Sequence, residues 1–281
     1  METAVSFLAP AAARSGLCLA TLTLWRREMV RFFRQRNRVI GALATPVVFW
    51  LLLGSGLNRA FAPEGAGAAN DADSIGYLAY FFPGTLVLIL LFTAIFSTIS
   101  VIEDRREGFL QGVLVAPASR LAIVMGKVLG GASIATLQGT LFLLLWPVVA
   151  GWPGVGPMAT AVGVMFVLAV GLTALGLCIA WPLDSTTGFH AIMNLFLMPM
   201  WFLSGAVFPI ATAPAWLQAV MYANPLTYGL STLAFTLQGA DSPAIAPLPV
   251  AANVALMLAA CVVLLTAATW LVARPRGNGH S

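Results

Sequence analysis

With 281 residues, 60% of them hydrophobic and only 9% charged, and a mean hydropathy of +0.92, the chain cannot be an ordinary soluble domain, in which roughly 25% of residues are charged. The net charge of +4 carries no nucleic-acid signal, because the basic residues stand beside apolar runs, where the positive-inside bias accounts for them. Cys18, Cys178 and Cys261 lie far apart and outside any metal-ligand spacing, so they read as small hydrophobes rather than as a disulfide framework or a metal site.

Residues 1–13 are alanine-rich and hold one acid and no base, so the basic start of a secretory signal is missing and no cleaved leader is expected. Over 15–38 the pattern predicts an amphipathic helix. Leu22, Trp25, Met29, Phe32 and Phe33 fall on an apolar face, with Arg26, Arg27, Arg31 and Arg34 largely elsewhere around it. Arginines beside Trp and Phe suit a helix lying in the cytoplasmic membrane interface, close to anionic head groups.

A hydrocarbon core about 30 Å thick needs about 20 helical residues. Six stretches have that length: 39–57, 75–102, 128–149, 160–183, 189–208 and 250–273. Placing both termini inside puts every basic residue except Arg59 on the cytosolic side, which fixes the expected orientation. The connection 58–74 is Gly/Ala/Asn/Asp-rich and 151–157 is a tight Gly/Pro turn. The outer segment 210–249 is more organised. Trp216, Leu217, Val220 and Met221, followed by Asn224-Pro225 and Tyr228, predict two short interfacial or re-entrant helices; an aromatic belt with no part in transport is the plainer reading.

Between the second and third spans lies 103–127, a polar segment on the inner side. Glu103-Asp104-Arg105-Arg106-Glu107 is a dense zwitterionic cluster, and Phe109, Leu110, Val113 and Leu114 make an apolar stripe on a short helix. Two readings stand for it: a solvated loop, or a helix that presses its face into a partner's groove.

No span contains Asp, Glu, Lys or Arg in its interior, while Asp184 and His190 sit at the start of the fifth. Proton relays are built from intramembrane ionisable groups, so a proton-driven transporter is disfavoured; sodium coupling through carbonyls and hydroxyls stays open. An intramembrane enzyme is disfavoured too, since no HExxH, Ser/His pair or paired carboxylate appears at membrane depth. His190 at a helix end reads as a hydrogen-bonded structural residue. Gly126-Lys127 lacks both the earlier glycine and the following hydroxyl of a phosphate-binding loop. Any uphill transport must therefore draw its energy from a separate protein. Gly126 and Gly130 form a GxxxG pair that lets helices approach closely.

Two local patterns now resemble a known family. Arg106-Glu107-Gly108-Phe109-Leu110-Gln111, with Leu114 and Ala116-Pro117 after it, is similar to the loop following span two in ABC type-2 permeases, the membrane subunits of ATP-binding-cassette exporters of drugs, polysaccharides and Nod factors. It departs from their pattern in having Gln111 for a common Glu and Phe109 for a common Thr. Phe202-Leu203-Ser204-Gly205-Ala206-Val207-Phe208-Pro209 followed by Asn224-Pro225-Leu226-Thr227-Tyr228 is similar to the family's signature around span five.

The resemblance implies an all-α integral membrane protein over 1–281, a single ABC type-2, type V exporter-like transmembrane domain with six spans after an interfacial helix. It implies a permease without enzymatic activity, multi-pass in the inner membrane. A homodimer of permeases would be bound to two copies of an ATPase subunit, which uses ATP and Mg while this chain binds no cofactor. Glu103, Asp104, Arg105, Arg106, Glu107, Gly108, Phe109, Leu110 and Gln111 would form the coupling helix. Phe202, Ser204, Gly205, Phe208, Pro209, Asn224, Pro225 and Tyr228 would belong to the outer gate. The alternatives are a sodium-coupled or passive transporter and a membrane scaffold that moves no solute.

Overall fold

A computed structural model describes residues 9–34, 44, 46–54, 56, 71–115, 119–239, 242 and 248–274. Among them there are helices and turns but no strand. The helices are α1 (Ala9–Arg34), α2 (46–54), α3 (Asp71–Ser97), α4 (Ile99–Arg106), α5 (Phe109–Val115), α6 (Arg120–Leu143), α7 (Trp146–Ala150), α8 (Val155–Ala180), α9 (Thr186–Trp201), α10 (Ala215–Ala223), α11 (Pro225–Gln238) and α12 (Val250–Ala273).

Among the described residues, five helical stretches are long and apolar enough to cross a membrane: Leu78–Arg106, Arg120–Ala150, Val155–Ala180, Thr186–Ala206 and Val250–Ala273. They overlap the last five expected stretches, with ends displaced by up to eight residues at Arg120. The first expected span, 39–57, falls partly outside the described residues; 46–54 of it is helical. At 24 residues and about 1.5 Å each, α12 reaches about 36 Å, enough to cross with some tilt.

Lipid supplies no hydrophobic drive between helices, so shape and hydrogen bonds decide what packs. The helix α3 forms the axis, with Phe81, Phe82, Leu86, Ile89, Leu90 and Leu91 fully enclosed, and it packs on α6 and α8. Around its N-terminal half Trp50, Phe82, Phe142 and Trp146 interlock, the Phe82 and Phe142 rings stacking with centroids 4.6 Å apart. On the far side α12 covers α8 and α11 and turns Leu258, Val262 and Val263 outward, as a lipid-facing helix does.

The GxxxG pair seats the N-terminal helix. A Cβ on Gly126 would meet Leu24 Cβ at 2.6 Å, and one on Gly130 would meet Glu28 Cβ at 2.8 Å. Only glycine lets α1 lie this close on α6. The inward face of α1 is Leu24, Glu28 and Phe32, all buried. This differs from the expected surface helix with arginines at head groups: Arg27 and Arg31 turn toward acids of α4. The sequence pattern gave no weight to those acids as intramolecular partners.

The expected helix from Glu103 to Gln111 is also interrupted. The helix α4 ends at Arg106, Glu107 and Gly108 form a turn, and α5 starts at Phe109. Gly108 has φ +75°, a left-handed conformation that glycine adopts without steric cost.

Candidate functional site

One end of the bundle carries a network of three acids and three bases from α1, α4 and α6. Asp104, wholly buried, receives bonds from Arg27 (2.6 and 2.9 Å), from Arg31 (3.0 Å) and from the Lys127 ammonium. Lys127 also donates to Glu28 (2.5 Å) and to the Ser100 hydroxyl (3.0 Å). Arg31 reaches Glu103 at 2.7 Å. The Asp104 carboxylate bonded to it holds the proton of the Arg27 guanidinium more tightly than usual. Isolated ions this deep would be very costly, and full pairing with hydrogen bonds is what makes them tolerable. Lys127 lies one residue before the expected third span but inside α6, because that helix begins two turns earlier, at Arg120.

Arg105 and Arg106 fasten the same end to the turn between α8 and α9. Arg105 donates to the carbonyls of Trp181 and Leu183, both at 2.7 Å, and to Asp184 at 2.9 Å; Arg106 Nε donates to the Asp184 carbonyl. In α5, Leu110 is buried among Val101, Ile123, Leu177 and Trp181. Arg27 lies 3.8 Å from the centre of the Phe109 ring, a cation–π contact. Of the nine expected coupling residues, Asp104 and Leu110 are thus internal, and Glu103 and Arg105 are half-buried in ion pairs. Arg106, Glu107, Gly108, Phe109 and Gln111 are exposed at the tip. Ala116 and Pro117 lie outside the described residues.

The second group of expected residues builds a chain reversal at the opposite end of the bundle. Pro199 sits within α9, and the helix passes into a wider π turn, Phe202–Ala206. There Gly205 has φ +89° and its carbonyl accepts from the Tyr80 hydroxyl at 3.2 Å. Ser204 donates to the Trp201 carbonyl. Pro209 caps the short turn Ile210–Thr212, and Phe208 packs on the small cluster of Ile210, Ala213 and Met221. Asn224 closes the reversal from both sides: its carbonyl oxygen accepts from Leu226 N at 3.1 Å, capping α11, while its amide donates to the Met200 carbonyl at 2.5 Å. Pro225 occupies the first turn of α11, where its missing N–H costs nothing. The Tyr228 hydroxyl donates to the Tyr222 carbonyl, tying α11 to α10. Phe202 is exposed on the surface of the bundle.

From the ionic network a half-open hollow of about 640 Å³ reaches toward the middle of the bundle. Its α3–α4 wall is a ladder of hydroxyls, Thr93, Ser97 and Ser100, beside a second stripe of Phe92 and Phe96, and it ends on Glu103. Facing them are Phe49 of α2, His190 and Met198 of α9, and Glu28, Arg31 and Phe32 of α1. The His190 ring lies against Phe96, centroids 5.3 Å apart. Thr93 bonds the buried Gln138 of α6. No group of three metal-binding side chains occurs among the described residues.

Sequence reasoning overlooked Glu28, Trp201 and Gln138. Glu28 carried a usable signal: it is an acid spaced four residues from both Leu24 and Phe32, hence on the apolar face of a basic helix. Trp201, fully buried, donates to the Gly84 carbonyl at 2.8 Å.

Membrane-length helices, an ionic knot at one end, a capped chain reversal at the other and a hollow reaching in from the knot define a polytopic helical membrane protein. The chain belongs to the ABC-2 type transporter family, whose model matches residues 20–237. It is 27% identical to the putative transport permease ycf38 of Cyanophora paradoxa, over 75% of this chain and 72% of that protein. It is 25% identical to Nodulation protein J of Rhizobium leguminosarum bv. viciae, over 78% and 82%, and 27% identical to the daunorubicin resistance ABC transporter permease protein DrrB1 of Streptomyces coeruleorubidus, over 77% and 74%.

Proposed function

We propose that this chain is the permease subunit of an ATP-binding-cassette exporter in the inner membrane, with both termini cytosolic, working as a homodimer with two copies of a separate ATPase. That partner binds and hydrolyses ATP with Mg; this chain binds no cofactor. The observation that carries the reading is the exposed tip Arg106–Gln111 set on a rigid inner end. Asp104, Arg105 and Leu110 fix α4 and α5 to α1, α6 and the α8–α9 turn. A push on the tip is therefore delivered to several spans together, as rigid-body coupling requires.

The clustering of the described bases at the end that holds α1, Arg106 and Arg120 supports the orientation. Cargo passes along the cavity between α3 and α9, beneath an outer plug formed by α10 and α11. Walls of Phe, Leu and Met interrupted by hydroxyls suit a lipid-like, aromatic or glycolipid cargo. Relatives with nodulation and daunorubicin resistance in their names agree with such a range. Tagged protein carrying Glu107→Lys tests the role of the tip. It should insert normally and recover much less ATPase than the unaltered chain; undiminished ATPase recovery and transport would reject it.

A further inference from the structure

We propose that Gln138 of α6 is a positioning residue for cargo: it holds the Thr93 hydroxyl so that Thr93 meets cargo as a hydrogen-bond acceptor, and the hollow thereby selects an aromatic amphiphile that carries a hydroxyl or N–H group. The inference deepens the reading of the hollow as the cargo path and rests on it.

Thr93 and Ile134 both line the hollow. Gln138 stands one turn beyond Ile134 on the same face of α6, behind Thr93. About 15 Å of helix separates Thr93 from Glu103, so the pair lies at the end of the hollow away from the ionic network. The two residues are 7% and 1% exposed. A buried amide in a membrane-spanning helix is costly unless it is bonded. That of Gln138 makes a single bond, its Oε1 accepting from the Thr93 hydroxyl, and its Nε2 has no partner.

Thr93 is also set apart from other threonines of the fold. Thr85, Thr140, Thr160, Thr173, Thr232 and Thr236 each donate to the carbonyl four residues back, the local bond that threonine makes in a helix. Thr93 gives its hydrogen to Gln138 instead, and the lone pairs of its oxygen are what it has left for the hollow. Ser97, one turn on, spends its hydrogen on the Ala94 carbonyl at 2.6 Å and is likewise an acceptor. Ser100, nearer the ionic network, has the opposite polarity, because its oxygen already accepts from Lys127. Alongside the two acceptors run Phe92 and Phe96, with ring centroids 5.6 Å apart. An aromatic body packed on these rings brings a polar hydrogen to Thr93 or Ser97. A body of the same shape without that hydrogen leaves the acceptors unpaired, which is how a buried polar group discriminates.

The test uses the full-length permease in lipid nanodiscs, with Cys18, Cys178 and Cys261 changed to Ala and Met198→Cys as a reporter thiol in the hollow wall. Protection of that thiol from N-ethylmaleimide is measured with 4-dodecylphenol and with 4-dodecylanisole, which share one body and differ in a single O–H. The phenol should half-protect at about one-fifth of the concentration that the anisole needs, the factor that one neutral hydrogen bond supplies. Gln138→Leu and Thr93→Val should each raise the phenol's half-protecting concentration about fivefold and leave that of the anisole unchanged. Thr93→Ser, which keeps the hydroxyl, should retain the phenol's advantage. A Gln138 that serves only the packing of α6 would shift both probes together or neither, and either result overturns the proposal. Equal protection by the two probes in the unaltered chain overturns it as well, while keeping the hollow as the cargo path. Protection by neither probe removes the cargo path, and the proposal with it.

Discussion

The Asp104 carboxylate, with no exposed surface, meets the Lys127 ammonium across the junction of α4 and α6, twenty-three residues along the chain. Around that contact one end of the bundle is assembled. Asp104→Asn removes a charge from between three cations and leaves Lys127 and Arg27 under-compensated in a dry site. Loss of one partner from a buried pair costs about 3 kcal/mol or more. Purified Asp104→Asn protein should show a clearly lower unfolding temperature in detergent. Adding Lys127→Met should return part of the loss, because the orphaned ammonium goes with it. A single variant as stable as the unaltered chain would remove the knot from the account.

The seat of α1 makes a second prediction. Gly130→Ala places a methyl 2.8 Å from Glu28 Cβ, and overpacking of this kind costs about 1–3 kcal/mol. The displacement should be visible as faster proteolysis within α1 as well as lower thermal stability. Gly112→Ala, at a position with open space around it, should leave both unchanged.

Asn224 separates two functions of one side chain. Asn224→Asp keeps an acceptor for Leu226 N and loses the donor to the Met200 carbonyl, while Asn224→Ala loses both. Thermal unfolding should rank unaltered chain, Asp, Ala in falling order, with a total loss of about 1–2 kcal/mol for a cap of this type. Equal losses in the two variants would mean that the cap on α11 carries nothing, and an Asp variant as stable as the unaltered chain would mean that the bond to α9 carries nothing.

Gly108→Ala forces a side chain into a φ of +75°, which costs about 1 kcal/mol and favours realignment of α5. Nothing crowds the site, so insertion and yield should be normal. ATPase activity stimulated by the permease should fall; full stimulation would show that the turn between α4 and α5 has no part in coupling.

The spans were legible in the sequence because hydropathy over about 20 residues is a one-dimensional signal, and five of them occupy the expected stretches. The chain reversal after α9 was legible for a similar reason: Gly205, Pro209 and Asn224-Pro225 are local backbone instructions. What could not be read was pairing at a distance. Glu28 and Lys127 are separated by ninety-nine residues, and nothing local marks them as partners. The same holds for Arg105, whose bonds to Trp181 and Leu183 turn an apparently free charge cluster into a fastening. Thus Glu103–Gln111 read as a solvated loop or as a helix docking on a partner, while in the fold its first half is locked inward and its tip is left outside by Gly108.

The central claim is that transport by this chain is driven through the inner tip by a nucleotide-hydrolysing partner. The direct measurement takes a fluorescent amphiphile that ATP-energised vesicles of the source membrane accumulate, and follows it in liposomes holding the purified permease alone under an imposed sodium or proton gradient. The account predicts no uphill movement until the ATPase partner and MgATP are added. Uphill accumulation by the permease alone, driven by either ion gradient, would contradict it.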